Sequence, residues 1–294
     1  MKAVKEKAYA KINFYLDVVG KRADGFHDIK TIMHSVSLFD TLTVETFPSR
    51  SADVSMRVVG GSRLPTDDRN IAVKAARLYL ERARIEDGIR IILQKNIPVA
   101  SGLAGGSTDA AAVLRALNRL YGNRFSQKAL ISLAAEIGSD VPYCIGGGTA
   151  LCYGRGEQIE RLPDINGLNF VIAIADNEYV STPAAYSVLD SLYSNFDRSA
   201  KNSGKAIFQR FISSVKNKSI DASLLYNIFE EAILPNCRGA LTIKERMIDL
   251  GARGALMSGS GPSVFGVFDT AEAAKDAEQE LTSCGYRAFV AHSV

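Results

Sequence analysis

The sequence predicts an α+β fold of mostly antiparallel sheets with helices on one side. Three observations predict it: period-two alternation near the N-terminus, helical periodicity interrupted by glycine-rich turns in the middle, and short strands alternating with helices towards the end. The chain has 294 residues. At about 100–200 residues per domain, that length suggests two domains, and the change of character near residue 165 places them at 1–165 and 166–294.

Each element has its own warrant. In KAYAKINFYLDV, Ala8, Ala10, Ile12, Phe14 and Leu16 share one parity, while Lys7, Tyr9, Lys11, Asn13 and Asp17 share the other. That period describes a strand with one buried and one polar, solvated face. ADGFH supplies an Asp24-Gly25 turn, and TLTVETF and VSMRVVG read as further short strands. NIAVKAARLYLERARI has helical spacing, and GIRIILQKNIP is a strand that stops at Pro98. TDAAAVLRALNRLYG puts Val113, Leu114, Leu117, Leu120 and Tyr121 on one helix face, with Gly122 at the C′ position. SQKALISLAAEIG is a second helix ended by Gly138, and GSDVPYCIGGGTALCYGRGE returns to strand.

After residue 165, NFVIAIAD is a buried strand and TPAAYSVLDSLY a helix, with Thr182 as N-cap and Pro183 at N1. The 195–218 segment reads as a surface excursion around a helical AIFQRFISSV. SLLYNIFEEAIL and ALTIKERMIDLG read as helices. GALMSGSGPSVFGVFD is strand, glycine turn and strand; a last helix and strand close the chain.

The net charge of +3 is small and its charges are interspersed, which argues against a nucleic-acid surface while leaving room for a local basic cleft. Cys144, Cys152, Cys237 and Cys284 form no C-x-x-C pair, so a zinc site is not expected and a reducing, cytoplasmic setting is. No secretory or transit segment and no membrane span is expected either.

The stretch PVASGLAGGSTDAA crowds Gly102, Gly105 and Gly106 into five positions ahead of Ser107, Thr108 and Asp109. It has neither the Rossmann nor the P-loop spacing. Glycines let backbone amides approach an anion, and the helix N-terminus that follows adds partial positive charge and unpaired donors. The hydroxyls at 107 and 108 suit capping the helix, meeting a phosphate oxygen or ligating Mg²⁺. A second glycine site, MSGSGPSVFG, reads by default as a hairpin turn. Taken alone, Asp140 reads as a cap or turn residue, Lys11 and Asn13 as a solvated face, and His27 as a structural histidine.

Together these segments resemble the family of galactokinase, homoserine kinase, mevalonate kinase and phosphomevalonate kinase (GHMP). PVASGLAGGST resembles that family's ATP-phosphate loop, and SGSGPSVFG its C-terminal glycine motif. AKINFYLDVVGKRADGFHDIKT and GSDVPYCIGGGTALCYGRGE are similar to the branch that serves the non-mevalonate isoprenoid pathway. The likeness runs in order from about Lys7 to Phe268.

The resemblance implies a two-domain, ATP- and Mg²⁺-dependent kinase with its active-site cleft between the domains. Its acceptor would be the 2-hydroxyl of a cytidine diphosphate-linked methylerythritol. Lys11 and Asp140 would be catalytic, with Lys11 keeping Asp140 ionised. ATP would meet Asn70 and Lys95 on the nucleoside side. Its phosphates would meet Pro98, Val99, Ala100, Ser101, Gly102, Leu103, Ala104, Gly105, Gly106, Ser107 and Thr108. Ser107 or Thr108 would ligate Mg²⁺. Asn13, Phe26, His27, Thr182 and Tyr186 would receive the substrate. Phe26 departs from the tyrosine often found there, which keeps stacking and loses a phenolic hydrogen bond. Ala104 replaces a common glycine, a change that a small side chain tolerates. The alternatives are another small-molecule kinase of the homoserine or mevalonate type, and a non-catalytic nucleotide-binding relative. The expected partner is a small molecule, with no nucleic acid or membrane, and the protein a monomer or homodimer.

Overall fold

A computed structural model describes residues 2–49, 51–60, 63–176, 178–193 and 203–294. The chain divides into two compact units, the first made of 1–10, 38–99 and 104–147, the second of 11–37, 100–103 and 148–294. Two long strands, β1 (Lys2–Lys21) and β2 (His27–Phe47), contribute residues to both.

In the first unit the C-terminal half of β2 pairs antiparallel with β4 (Gly88–Gln94), from Thr41 opposite Gln94 to Phe47 opposite Gly88. β3 (Val54–Val59) runs parallel on the other side of β4. Alternation in GIRIILQ buries Ile89, Ile91 and Leu93. Helix α1 (Ile71–Ala83) packs on α2 (Gly105–Leu120), and Tyr79 donates from α1 to Asn118 Oδ1 on α2 at 3.2 Å. The alanine run at 110–112 is fully buried, its short side chains suiting close helix packing. α3 (Gln127–Ile137) starts at a Ser126 cap that accepts from the Ala129 amide. A short α4 (Val141–Gly146) follows where the sequence reads as a return to strand.

In the second unit, β2 pairs antiparallel with β5 (Thr149–Tyr153), which pairs with β6 (Gln158–Arg161). A four-stranded antiparallel sheet has the order β11-β7-β10-β9, built from β7 (Asn169–Ile174), β9 (Gly254–Met257), β10 (Val264–Phe268) and β11 (Arg287–His292). Its core gathers Leu16, Val171, Ala173, Ile243, Met247 and Phe268. The helices here are α5 (Thr182–Leu192), α6 (Ser203–Lys216), α7 (Phe229–Ile233), α8 (Arg238–Asp249) and α9 (Ala271–Ser283).

Besides α4, three local expectations change. SLLYNIFEEAIL is not one helix: Tyr226–Asn227 form β8, parallel to Tyr15–Leu16 of β1, and only Phe229–Ile233 are α-helical. The side chain of Asn227 accepts from the Phe229 amide, which competes with a continuous helix. The described part of the 195–218 segment is not a surface excursion. Phe208 packs edge-on to Tyr15 at 5.2 Å, and Phe211, fully buried, lies 6.1 Å from Phe14. Residues 195–202 of that segment lie outside the described residues. The polar parity of β1 is solvated only at its start: Lys7 is exposed and Tyr9 half-buried, but Lys11, Asn13, Tyr15 and Asp17 are buried.

Candidate active site

Within the second unit, the residues of the buried polar parity form one hydrogen-bonded set. Lys11 Nζ donates to Asn13 Oδ1 at 2.7 Å and to the carbonyl of Gly102 at 2.8 Å. Lys11 also donates its backbone amide to the Leu103 carbonyl at 3.2 Å. Asn13 Nδ2 donates to Thr31 Oγ1, which in turn donates to the Tyr15 carbonyl. A lysine and an asparagine two apart on a strand point to the same side, so the pleat itself brings them together.

The two glycine motifs touch here. Gly102 has φ +79°, and a Cβ on it would lie 2.0 Å from the carbonyl oxygen of Ser258. Gly259, at φ +58°, would place a Cβ 2.9 Å from the Gly102 oxygen and 3.2 Å from Lys11 Nζ. Only glycine allows both the left-handed backbone and this approach. Ser258 Oγ donates to the Gly102 carbonyl, and Ser263 donates to the Ser101 carbonyl through both its amide and its hydroxyl. MSGSGPSVFG is therefore a hairpin between β9 and β10, as its default reading has it, and also a wall of the loop at 101–103.

Residues 104–108 belong to the first unit. α2 begins after Ala104, which has φ 57° and makes no side-chain cap bond. Thr108 N bonds to the Ala104 carbonyl, so the amides of Gly105, Gly106 and Ser107 are the helix's open N-terminal donors. Neither Ser107 nor Thr108 caps the helix. Thr108 is buried and donates to the Tyr9 carbonyl at 2.8 Å, while Ser107 is half-buried. An uncapped start presented by glycines suits an anion better than one closed by its own hydroxyl.

Lys95 lies beneath that start. Its ammonium is 2.5 Å from Asp40 and 2.8 Å from Asp109, all three buried, and a Cβ on Gly105 would lie 2.8 Å from it. Asp40 also accepts from the amides of Asn96 and Ile97. Burial pushes the Asp109 carboxyl up from its ordinary value, against the pull of Lys95. Lys95 is thus engaged by carboxylates. Asn70 is similarly occupied: it is the N-cap of α1, accepting from Ala72 and donating to the Pro65 carbonyl. Pro98 is buried, and Val99 and Ala100 are exposed at the loop tip. Asp140 is half-buried at the N-cap position of α4 but makes no side-chain cap bond there, so capping does not account for it.

The aromatic group is assembled in the second unit. His27 Nε2 lies 2.7 Å from Asp190 Oδ1, and its ring stacks on Tyr186 with centroids 4.6 Å apart. Asp190 also pairs with Lys21, and its carboxyl sits below the usual range, its hydrogen bonds and charge pairing outweighing desolvation. Phe26 is 53% exposed with the Arg155 guanidinium 4.6 Å from its ring centroid. Thr182 is not the helix cap, a position held by Ser181; its hydroxyl instead meets Ser260 Oγ at 2.9 Å in the second glycine motif. Two residues of this site escape sequence reasoning. Thr31 fixes Asn13, and Asn227 holds the Gly259 turn through its carbonyl. Only the break that Asn227 puts in a helical pattern could have pointed to it.

The chain matches the GHMP kinase N-terminal domain over residues 70–148 and the GHMP kinase C-terminal region over 216–287. It belongs to the GHMP kinase family and is an ATP-dependent kinase. It is 42% identical over 269 residues to the 4-diphosphocytidyl-2-C-methyl-D-erythritol kinase of Gloeobacter violaceus, covering 91% of this chain and 86% of that protein. It is 43% identical to the enzyme of that name from Caldicellulosiruptor saccharolyticus, covering 89% and 87%. A crystal structure of 4-(cytidine 5′-diphospho)-2C-methyl-D-erythritol kinase superimposes with a TM-score of 0.78 at 30% identity, covering 98% of each chain. The mevalonate kinase of Methanococcus jannaschii, at 14% identity and a TM-score of 0.68, shares the fold.

Proposed function

We propose that the chain transfers the γ-phosphoryl group of ATP to the 2-hydroxyl of 4-diphosphocytidyl-2-C-methyl-D-erythritol, giving the 2-phosphate. The observation that carries the chemistry is the Lys11 ammonium, buried and held by Asn13 and Gly102 where the two glycine motifs meet. The relatives' shared name supports the substrate. So does a half-exposed phenylalanine beside a carboxylate-oriented histidine, which suits the face and edge of a cytosine ring.

Phosphoryl transfer has a loose transition state, so positioning and charge neutralisation dominate. The open amides at 105–107 receive phosphate oxygens, and Lys11 stabilises the charge that develops in transfer. Asp140 is assigned the proton of the acceptor hydroxyl. Thr182 and Tyr186 contribute to substrate binding from α5. Lys95 and Asn70 act from below the loop and at the head of α1. Mg²⁺, when bound, neutralises phosphate charge. Its preference for oxygen ligands fits the half-buried Ser107 hydroxyl better than a Thr108 hydroxyl committed to Tyr9. In the linear chain, 1–165 is assigned as the ATP-binding domain and 166–294 as the C-terminal domain, ranges that contain the two family matches. Among the described residues no helix is long and apolar enough to cross a membrane, and we assign the enzyme to the cytoplasm as a monomer or homodimer.

The test is incubation with ATP and each of three alcohols: the cytidyl substrate, homoserine and mevalonate. ADP should form only with the first. Turnover of homoserine or mevalonate alone would replace this substrate, and ATP binding with no turnover would make the chain a non-catalytic relative.

A further inference from the structure

We infer that Asn227 is a positioning residue for Lys11, acting through the Gly259 turn and Asn13. The inference rests on the catalytic role proposed for Lys11. Asn227 is 3% exposed and uses all its ordinary hydrogen-bonding groups. Its Nδ2 donates to the carbonyls of Met257 at 2.7 Å and Gly259 at 2.8 Å, and its Oδ1 accepts from the Phe229 amide at 3.0 Å. A carboxamide alone among side chains of this size offers two donors and an acceptor in that arrangement.

The two carbonyls flank Ser258, so Asn227 fixes both ends of the peptide segment that faces Lys11. From that segment two hydrogen bonds run towards the ammonium. The Gly259 amide donates to Asn13 Oδ1 at 3.0 Å, the same oxygen that accepts from Lys11 Nζ. Ser258 Oγ donates to the Gly102 carbonyl at 3.1 Å, which is also an acceptor of Lys11 Nζ. Both of these acceptors are therefore set by the turn that Asn227 holds. A lysine side chain is long and flexible, so contacts made before substrate arrives pre-organise its charge.

The experiment is a double-mutant cycle on the full-length protein, with kcat and the KM for ATP measured below each variant's melting temperature. Asn227→Ala should lower kcat about 10–100-fold with the KM for ATP changed less than about 3-fold, the scale on which misplacement by an ångström acts. Asn227→Ser, which keeps one donor, should fall between Asn227→Ala and the wild type. In a Lys11→Met background the Asn227→Ala effect should shrink to less than about 2-fold, because the group it positions is gone. An equal factor in both backgrounds would assign Asn227 to general stability and overturn the inference, as would an unchanged kcat in Asn227→Ala.

Lys11→Met with wild-type turnover would instead remove the role of Lys11, a distinct outcome read from the single variant. If Lys11→Met leaves no measurable rate, or if Asn227→Ala does not fold, the Lys11 ¹⁵Nζ resonance in Asn227→Ser decides. Loss of its slow proton exchange relative to wild type supports positioning, and an unchanged signal refutes it.

Discussion

The ammonium of Lys11 lies 2.8 Å from the carbonyl oxygen of Gly102, so a charged hydrogen bond ties the first strand to the glycine loop. Hydrogen bonds to an ionised donor are roughly twice as strong as neutral ones. The loop can carry that bond only because residue 102 has no side chain. Gly102→Ala would force a Cβ to within 2.0 Å of the Ser258 oxygen at φ +79°, and backbone cannot yield as a flexible side chain would. The expected outcome is a loss of about 2–4 kcal/mol in urea unfolding together with most of the kinase activity. A variant of wild-type stability would show that the loop does not pack on the second glycine motif as described.

Asp140 separates chemistry from folding. Its carboxylate makes no cap bond at the head of α4, so Asp140→Asn should keep the wild-type melting temperature to within a degree or two. A general-base contribution is about 10²–10⁴-fold, and kcat should fall on that scale. Steady-state kinetics beside calorimetry reads both, and wild-type turnover would remove Asp140 from the mechanism.

Stability should depend on pH through His34. Its ring stacks on Phe14 at 4.8 Å and its Nδ1 meets Thr149 Oγ1 at 2.9 Å, while Nε2 is buried with no partner among the described residues. Burial lowers its pKa to about 4 from an ordinary 6.5. The unfolded chain therefore takes up this proton first as pH falls. The contribution is intact above about pH 6.5, shrinks as pH drops towards 4, and levels off below. It amounts to a loss on the order of 3 kcal/mol. Unfolding curves across that range, compared with His34→Gln, isolate it: the difference between the two proteins should vary with pH, and a constant difference would contradict the burial of a neutral ring.

Phe26 supplies a test of substrate recognition that leaves ATP aside. One face of its ring meets Arg155 and the residue is half exposed. Phe26→Ala should raise the KM for the cytidyl substrate about 10-fold or more, an aromatic stack being worth about 1–3 kcal/mol, while the KM for ATP stays put. Phe26→Tyr should behave as wild type or bind somewhat better, and equal effects on both substrates would remove the ring from cytosine binding.

Much of this was legible in the chain because it is local. Periodicity located β4, α1, α2 and α3, Gly122 and Gly138 ended their helices as read, and GALMSGSGPSVFGVFD was a hairpin. Glycine crowding at 102–106 marked a tight loop ahead of a helix, since a left-handed backbone and bare amides are properties of the residues themselves. Tertiary structure decided whatever depended on a distant partner. Alternation could say that Lys11 and Asn13 share a face of β1, but their burial follows from Gly102, Thr31 and Gly259, which lie 91, 18 and 246 residues away along the chain. Helical spacing ran through SLLYNIFEEAIL until the carbonyls of Met257 and Gly259 claimed the Asn227 amide. Thr182 and Thr108 were plausible local caps and found hydrogen-bond partners elsewhere, in Ser260 and Tyr9. A hydroxyl or carboxamide serves a local or a remote partner equally well, and only the folded backbone sets which one is within reach.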